Sequence, residues 1–141
     1  MSEAVHATAV LVGASGVLIR GPSGTGKSSL AWLLIDQGAI LVADDRVHVS
    51  ACHGRLIATA PERLAGKLEL RGRGILRMPF EQSVVLRLVV DVVAEADLER
   101  LPSPADLRVE MLGIELARQS VPGASSRALT LIGAALAEIR S

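Results

Sequence analysis

Residues 21–28 read Gly21-Pro22-Ser23-Gly24-Thr25-Gly26-Lys27-Ser28, and this stretch decides which fold the chain can adopt. It fits the phosphate-binding loop pattern G-x-x-x-x-G-K-[ST] at every fixed position. Its glycines allow backbone N–H groups to approach phosphate oxygens without an intervening Cβ. In this pattern Lys27 reaches the β- and γ-phosphates and the Ser28 hydroxyl ligates Mg²⁺. We therefore predict a nucleotide-binding loop at residues 21–28, the alternative being a fortuitous glycine turn.

The sequence on either side of this phosphate loop supports the prediction. Val17–Arg20 has the apolar character of a strand, and Ser28–Gln37 has a helical pattern that ends at Gly38. A helix that begins there directs its N-terminal dipole at the bound anion. Upstream, Val5–Val12 predicts a strand, and residues 13–16 turn it into a hairpin. This antiparallel arrangement differs from the βαβ opening of most phosphate-loop folds and indicates a less common branch.

The rest of the chain alternates short strands with turns and ends in a helix. Residues 61–66 are expected to form a loop or one helical turn, 72–74 a flexible basic loop, and 97–101 a helical turn. No repeat, low-complexity tract or linker is present, so we predict one α/β domain over residues 1–141. The remaining predicted elements are strands at Ala39–Ala43, Arg46–Ser50, Arg55–Thr59, Lys67–Arg71, Ser83–Val93, Leu107–Met111 and Ile114–Ser120, and a helix at Ser125–Arg140 with Ser125 or Ser126 as its N-cap.

Composition argues against several classes of partner. Acidic and basic residues number 15 each, so the net charge is +0 and no polyanion-binding surface is indicated. Aromatic residues are limited to Trp32 and Phe80, which leaves no stacking platform for nucleic-acid bases. The single Cys52 excludes an internal disulfide and fits a reducing compartment. Because the sequence has no signal pattern and no apolar run of membrane-spanning length, we expect a cytoplasmic protein without a membrane partner.

Two acidic residues close the strand that follows the phosphate-loop helix. Asp44 and Asp45 come directly after the apolar segment Ala39–Ala43. Phosphoryl transfer needs carboxylates near the γ-phosphate, either to hold Mg²⁺ or to accept the proton of the attacking hydroxyl. A strand end beside the phosphate loop is where such a group belongs. The pair is a candidate catalytic element, the alternative being a strand cap that begins a turn.

Other polar candidates are less specific. Glu69 and Arg71 alternate along a predicted strand and so share one face, where an arginine fork suits phosphate oxygens. An exposed hairpin with an ion pair is the alternative. His6, at the start of a strand, is by itself more typical of an edge or core residue, and His48 and His53 fall near a turn as expected surface residues. These scattered histidines and one cysteine lack the spacing of a zinc site.

Four ordered motifs make the chain resemble the catalytic domain of HPr kinase/phosphorylase. His6 stands in a V-H-A-x-x-V context, the loop reads G-x-S-G-x-G-K-S, and the helix ends in a Gly followed by L-V-A-D-D-R-V. Further on, Glu69-Leu70-Arg71-Gly72-Arg73-Gly74-Ile75 resembles the family signature E-I-R-G-L-G-I. The resemblance runs from about His6 to Arg100. It implies a phosphate-loop fold on a mixed, largely antiparallel sheet, in the branch similar to phosphoenolpyruvate carboxykinase.

The resemblance implies which residues bind the substrates of a kinase. It assigns the whole phosphate loop, Gly21–Ser28, to ATP, and it assigns Ser28 and Glu69 to Mg²⁺. It also gives Lys27 the role of stabilising charge on the transferring phosphoryl group. The implied activity is that of an ATP- and Mg²⁺-dependent protein serine kinase whose partner is the phosphocarrier protein HPr.

The resemblance further implies the residues that carry out the transfer. Asp45 would accept the proton of the serine, and Asp44 would be its polarising or metal-assisting neighbour. His6 would help set the protonation of that pair. Arg100, in a segment similar to the family's D/E-R-L, would be a catalytic arginine.

The chain also departs from the family pattern. Family members are usually about twice this length, with an additional N-terminal domain, and are commonly hexamers, so a homo-oligomer is expected here. Their phosphorolysis segment, P-V-R-P-G-R-N, corresponds to residues 120–127, which keep Pro122-Gly123 but lose both neighbouring arginines. We therefore predict weak or absent phosphorolytic dephosphorylation. The alternatives are a phosphate-loop kinase of another acceptor and a non-catalytic ATP-binding regulatory module.

Overall fold

The computed structural model describes residues 1–140, which form short strands and two α-helices. The helices are α1 (Lys27–Asp36) and α2 (Ser126–Arg140), and short 3-10 turns lie at Glu62–Leu64, Glu95–Asp97 and Pro104–Leu107. This content confirms the predicted α/β fold. The strands are β1 (Ser2–Val5), β2 (Thr8–Val12), β3 (Ser15–Arg20), β4 (Ile40–Ala43), β5 (Val47–Cys52), β6 (Arg55–Thr59), β7 (Lys67–Leu70), β8 (Gly74–Arg77), β9 (Ser83–Val92), β10 (Arg108–Met111) and β11 (Ile114–Val121).

Nine of the strands between residues 1 and 140 form one curled sheet, beside which β7 and β8 make a separate hairpin. The order is β1-β5-β6-β9-β3-β2-β4, with β11 joined to the C-terminal half of β9 and β10 joined to β11. Strand β9 pairs in parallel with β3 and with β11, whereas the other strand pairs of the described chain are antiparallel. The prediction of a mixed, largely antiparallel sheet is therefore confirmed. The phosphate loop follows β3 at the C-terminal edge of the parallel strands, where ligands bind in α/β sheets.

The sheet buries apolar side chains on both of its faces. Leu18 and Ile19 are neighbours in β3 and both fully buried, yet they join different clusters because successive strand residues face opposite sides. Ile19 packs with Leu30 of α1 and Ile132 of α2. Leu18 packs with Val49 and its neighbours on the face enclosed by β5 and β6. Each such side chain contributes roughly 1.5–3 kcal/mol when fully buried, so both faces hold β3 and the loop after it in place.

Glycines set both ends of α1. Gly26 precedes the helix with a φ of 98°, and Gly38 follows it with a φ of 109° and donates its N–H to the carbonyl of Ile35. The predicted helix was thus displaced by one residue. Although this helix is apolar on most sides, Trp32 keeps 36% of its surface exposed, whereas Leu30 is fully buried. Neither helix within residues 1–140 is both long and apolar enough to cross a membrane.

Two predictions of local structure are wrong, and a third is displaced by one residue. Val5–Val12 is not one strand, because the chain breaks at residues 6–7, and β1 pairs with β5 while β2 pairs with β3. The loop predicted at residues 72–74 is present as a turn at residues 71–73, displaced by one residue because Gly74 begins β8 and pairs with β7. The helical turn expected at 97–101 lies instead at Glu95–Asp97. In the first two cases the apolar and glycine patterns were read correctly, but strand partners distant in sequence decide where the pairing stops.

Candidate functional site

A cavity of about 340 Å³ opens over the phosphate loop. Its walls come from the start of β2, the beginning of α1, the end of β4 and the hairpin strand β7. The cavity therefore joins segments that are far apart in sequence. Of the residues predicted from the sequence, it brings together the glycine-rich loop with His6, Lys27, Ser28, Asp44, Asp45 and Glu69.

Lys27 is the buried cation of this cavity. The residue is 7% exposed, and its Nζ donates to the carbonyl oxygens of Gly21 at 2.7 Å and Pro22 at 3.1 Å. Among the residues that the structure describes, no carboxylate forms an ion pair with it. A buried ammonium without a counter-charge is costly, so the loop favours an anion as its ligand. The positive φ of Gly24 and Gly26 forms the turn that brings backbone N–H groups to such a ligand.

Asp44 is the buried carboxylate of the cavity and is held by three donors. Its Oδ1 accepts hydrogen bonds from Thr8 Oγ1 at 2.9 Å and from Ser28 Oγ at 2.7 Å. Its Oδ2 accepts from the backbone N–H of Glu69 at 3.0 Å. The residue is only 6% exposed, and such bonds offset the cost of burying its charge. Asp44 therefore ties β2, α1 and β7 to the end of β4.

Asp45 points the opposite way, because the backbone changes direction between the two aspartates. Its φ is 71°, a left-handed conformation that Asp and Asn adopt more readily than most residues. Its side chain is 69% exposed, and its Oδ1 lies 2.9 Å from Nε2 of His6. The pair at the mouth of the cavity is thus accessible from solution. The expected contact of His6 with the aspartate pair is present, and it involves Asp45.

Glu69 of β7 and Arg71, in the turn that follows this strand, both line the cavity, as their alternation in the sequence predicts. They do not form an ion pair with each other, so the alternative of a simple ion-paired hairpin is not what the structure has. Arg71 reaches toward the loop, where a Cβ added at Gly24 would lie 3.7 Å from its Nη2. A carboxylate and a guanidinium therefore face the phosphate loop from across the cavity.

Arg100 is not brought to this cavity. It is exposed and lines a separate groove between the segment after β9 and α2, together with Leu107 and Ile139. The role of Arg100 as a catalytic arginine stays a prediction, and within this single chain it has no contact with the phosphate loop that would support it. The family resemblance could identify the residue but not its position in space.

The segment that replaces the phosphorolysis signature lies against the phosphate loop. A Cβ added at Gly26 would sit 3.6 Å from the Cβ of Ala124. Arg127, the arginine at the end of this segment, donates from Nη1 to Glu95 Oε1 at 2.5 Å, a contact in which both side chains are exposed. The small apolar residue Ala124 therefore lies against the phosphate loop directly after Pro122-Gly123.

An ion triad holds the strand that leads into the loop. Asp91 of β9 accepts from Arg20 Nε at 2.8 Å and Nη2 at 2.9 Å, and from Arg118 of β11. Burial raises the pKa of the Asp91 carboxyl, but the hydrogen bonds from the two guanidinium groups outweigh it, so the pKa lies below its usual range. The same bond to Asp91 raises the pKa of Arg20. Because Arg20 directly precedes the loop, this triad fixes where the loop begins.

Among residues 1–140 no group of three His, Cys, Asp or Glu side chains converges to hold a metal ion. The cavity instead offers the Ser28 hydroxyl and the Glu69 carboxylate beside Asp44. Mg²⁺ is usually held by one or two protein oxygens together with water and substrate phosphates. The donor set of this cavity fits Mg²⁺ that is held together with a nucleotide.

Two residues near the site were missed from the sequence. Thr8 looked like a β-branched strand former, and only its contact with Asp44 distinguishes it. A possible signal was its position two residues after His6, which places both on one side of an extended segment. Asp91 interrupts the apolar run of β9, and an acidic residue in an otherwise apolar strand could have indicated an ion pair.

The structure has a phosphate loop between a strand and a helix, and this loop faces carboxylates at the end of the next strand. On a mixed sheet, this arrangement defines the phosphate-loop kinase fold. The family model described as HPr Serine kinase C-terminal domain matches residues 1–141. The chain belongs to this family.

Curated relatives and a solved structure agree with this assignment. The chain is 39% identical over 142 residues to HPr kinase/phosphorylase of Geobacillus thermodenitrificans and 38% identical over 139 residues to that of Bordetella pertussis. These matches cover 93% and 91% of the chain but only 46% and 45% of the relatives, so the chain spans less than half their length. The structure of the Hpr(Ser) kinase/phosphatase from Coxiella burnetii matches with a TM-score of 0.86 at 25% identity, over 99% of both chains.

Proposed function

We propose that the chain is a protein serine kinase that uses ATP and Mg²⁺ to phosphorylate the phosphocarrier protein HPr. One observation carries this proposal: a buried carboxylate and an exposed carboxylate, adjacent in sequence, face the same phosphate loop. Asp44 is bonded to Ser28 at 2.7 Å, while Asp45 is paired with His6 at the mouth of the cavity. One carboxylate is thus suited to organise a cation and the other to receive a proton.

Binding of ATP is assigned to the phosphate loop. Lys27 supplies positive charge, and the N-terminus of α1 with the loop N–H groups supplies oriented dipoles. Bound Mg²⁺ would neutralise charge on the β- and γ-phosphates. Ser28 and Glu69 would hold that ion, with Asp44 keeping Ser28 in position. This assignment is supported by the free carboxylate of Glu69 on the cavity wall and by the absence of any closed metal site in the described chain.

The transfer step is assigned to the exposed pair. As the serine oxygen of the acceptor bonds to the γ-phosphorus, its proton passes to the Asp45 carboxylate and the bond from that phosphorus to the ADP oxygen breaks. His6 positions Asp45 through the 2.9 Å contact. The 69% exposure of the Asp45 side chain supports a protein acceptor, because a serine on a large partner must reach the base from outside.

Phosphorolytic dephosphorylation is proposed to be weak or absent. Inorganic phosphate needs cationic partners, and Arg forks are the usual ones. The segment beside the loop presents Ala124, and Arg127 is engaged with Glu95. A cytoplasmic location and assembly into a homo-oligomer, a hexamer by family resemblance, belong to the same proposal. Light scattering of the purified chain tests the assembly.

The test is incubation of the purified chain with HPr of the same organism, ATP and Mg²⁺, followed by intact mass measurement. We expect HPr to gain about 80 Da, the mass of one phosphoryl group on serine. Two matched controls accompany this test. HPr with its acceptor serine replaced by alanine should show no gain, and the Asp45→Asn variant with normal HPr should show a much slower gain than the wild type. Nucleotide binding without any gain on HPr would overturn the kinase proposal and favour a regulatory module. Gain on another acceptor alone would overturn the assignment of HPr.

A further inference from the structure

Thr8 carries the least expected polar group of the site. It lies in β2 between Ala7 and Ala9, and all three residues are fully buried. Valine has the same shape as threonine and suits a buried strand better, so a hydroxyl group at this position needs a hydrogen-bond partner. Its Oγ1 donates to Asp44 Oδ1 at 2.9 Å, which is the bond that justifies a polar atom in this position.

The direction of the hydrogen bonds around Asp44 follows from its charge. An ionised carboxylate only accepts, so Thr8 and Ser28 must both donate to it. Ser28 has a single hydroxyl proton, and the bond to Asp44 at 2.7 Å uses it. The lone pairs of Ser28 Oγ are therefore left for the open side of the cavity. A cation ligand must present lone pairs and not a proton, so this orientation is the one that Mg²⁺ requires.

We propose that Thr8 is a positioning residue for the cation site, acting on Ser28 through Asp44. Thr8 and the Glu69 N–H fix the two oxygens of Asp44, at 2.9 Å and 3.0 Å. Asp44 then keeps the hydroxyl proton of Ser28 directed toward its own carboxylate. The lone pairs of Ser28 Oγ remain directed toward the open side of the cavity. The inference rests on the proposed binding of a Mg²⁺–nucleotide complex, and it adds a residue whose hydroxyl is bonded to Asp44 and not to a proposed ligand of the ion.

Three variants separate this role from simple packing. Thr8→Val keeps the shape and removes the donor, whereas Thr8→Ser keeps the donor and removes a methyl group. Thr59→Val is the matched control, because Thr59 is a half-buried strand residue of β6 that does not line the cavity. Thr8→Ala replaces Thr8→Val if the latter does not fold.

The first measurement needs no ligand. In NMR spectra of the free protein, Thr8→Val should shift the Glu69 amide proton, which bonds to the same carboxylate. Thr8→Ser should leave this resonance near its wild-type position, and Thr59→Val should not move it. An unchanged Glu69 amide in Thr8→Val would show that Asp44 does not depend on Thr8, and would overturn the proposal.

The second measurement is calorimetric titration with ADP, with and without Mg²⁺. Thr8→Val should lower the Mg²⁺-dependent affinity about tenfold, as expected for one lost hydrogen bond to a charged group. Its Mg²⁺-free affinity should stay within about twofold of the wild type, and Thr8→Ser should restore both values. Equal losses in Thr8→Val and Thr8→Ser would reduce the role of Thr8 to packing and overturn the inference. Absence of Mg²⁺-dependent nucleotide binding by the wild type would instead overturn the proposed function itself.

Discussion

Asp91 forms ion pairs with two half-buried arginines, and its loss should cost far more than an ordinary surface substitution. Its side chain is 14% exposed, against 31% for Arg20 and 27% for Arg118. Asp91→Asn leaves both guanidinium groups facing a neutral amide. Removing one partner of a buried ion pair costs about 3–5 kcal/mol and breaking an exposed pair about 0–1 kcal/mol. Because this triad is partly buried, we expect the free energy of unfolding to fall by about 2–3 kcal/mol at pH 7.

The pH dependence of this loss has a definite sign. The folded-state pKa of Asp91 lies below its usual range, since the hydrogen bonds from Arg20 and Arg118 outweigh the effect of burial. The unfolded chain therefore binds the proton more tightly than the folded protein does. The stabilisation is fully present above the ordinary Asp range, near pH 4, and is lost as the pH falls through the lowered folded-state pKa. The difference in the free energy of unfolding between the wild type and Asp91→Asn should therefore decrease over that acidic range.

Urea denaturation at pH 7, 5 and 3 measures both effects. Glu115→Gln is the matched control, because Glu115 pairs with Arg108 at 2.7 Å on the surface, where both side chains are more than half exposed. We expect this control to change the free energy of unfolding by less than about 0.5 kcal/mol. A loss of similar size in both variants, or a loss in Asp91→Asn that is the same at pH 7 and pH 3, would refute the reasoning.

Three further predictions concern the loop and its surroundings. Asp45→Asn should fold normally, within about 0.5 kcal/mol in urea denaturation, yet slow transfer to HPr at least about 100-fold by quantitative mass measurement. Lys27→Met should weaken nucleotide binding about 100-fold in calorimetry without lowering the melting temperature, because a buried charge is removed; a strongly destabilised variant would contradict this. Gly16→Ala places a Cβ 2.5 Å from the Val85 carbonyl oxygen and should lower the free energy of unfolding by about 2 kcal/mol or more. Gly133→Ala, at an exposed helix position with nothing within 4 Å, should raise it by about 0.5–1 kcal/mol. Shifts of the same sign in the two melting temperatures would contradict this argument.

Local patterns were sufficient to predict the elements that form the centre of the cavity. The glycine spacing of the phosphate loop, the helix after it and the aspartates closing the next strand are each determined within a few residues. Because of Gly38 alone, the predicted helix ends within one residue of Asp36, where α1 ends. These features depend on backbone conformations that only particular residue types adopt, so the sequence states them directly.

The contacts between distant segments could not be predicted in this way. Thr8 reaches Asp44 across 36 positions and Arg20 reaches Asp91 across 71, and no periodicity relates such pairs. Gly74 suggested flexibility, but pairing with Leu70 makes it part of a hairpin. Trp32 is partly exposed although the helix is apolar on most sides, because the apolar residues that neighbouring elements bury are Leu30, Ala31 and Leu34. In each case the missing information is which other element lies alongside.

The left-handed backbone at Asp45 limits which substitutions can be interpreted there. At a φ of 71° an Ala residue carries a strain of roughly 1–2 kcal/mol, which Asp, Asn and Gly largely avoid. Alanine at position 45 would thus remove the carboxylate and also strain the backbone. Alanine at position 44 would remove the carboxylate without that strain. Asp45→Asn therefore tests the charge alone, and Asp45→Gly tests the whole side chain. Position 45 consequently accepts a far smaller set of residues than its exposure suggests, and a mutational library would show it as restricted even under selection for folding alone.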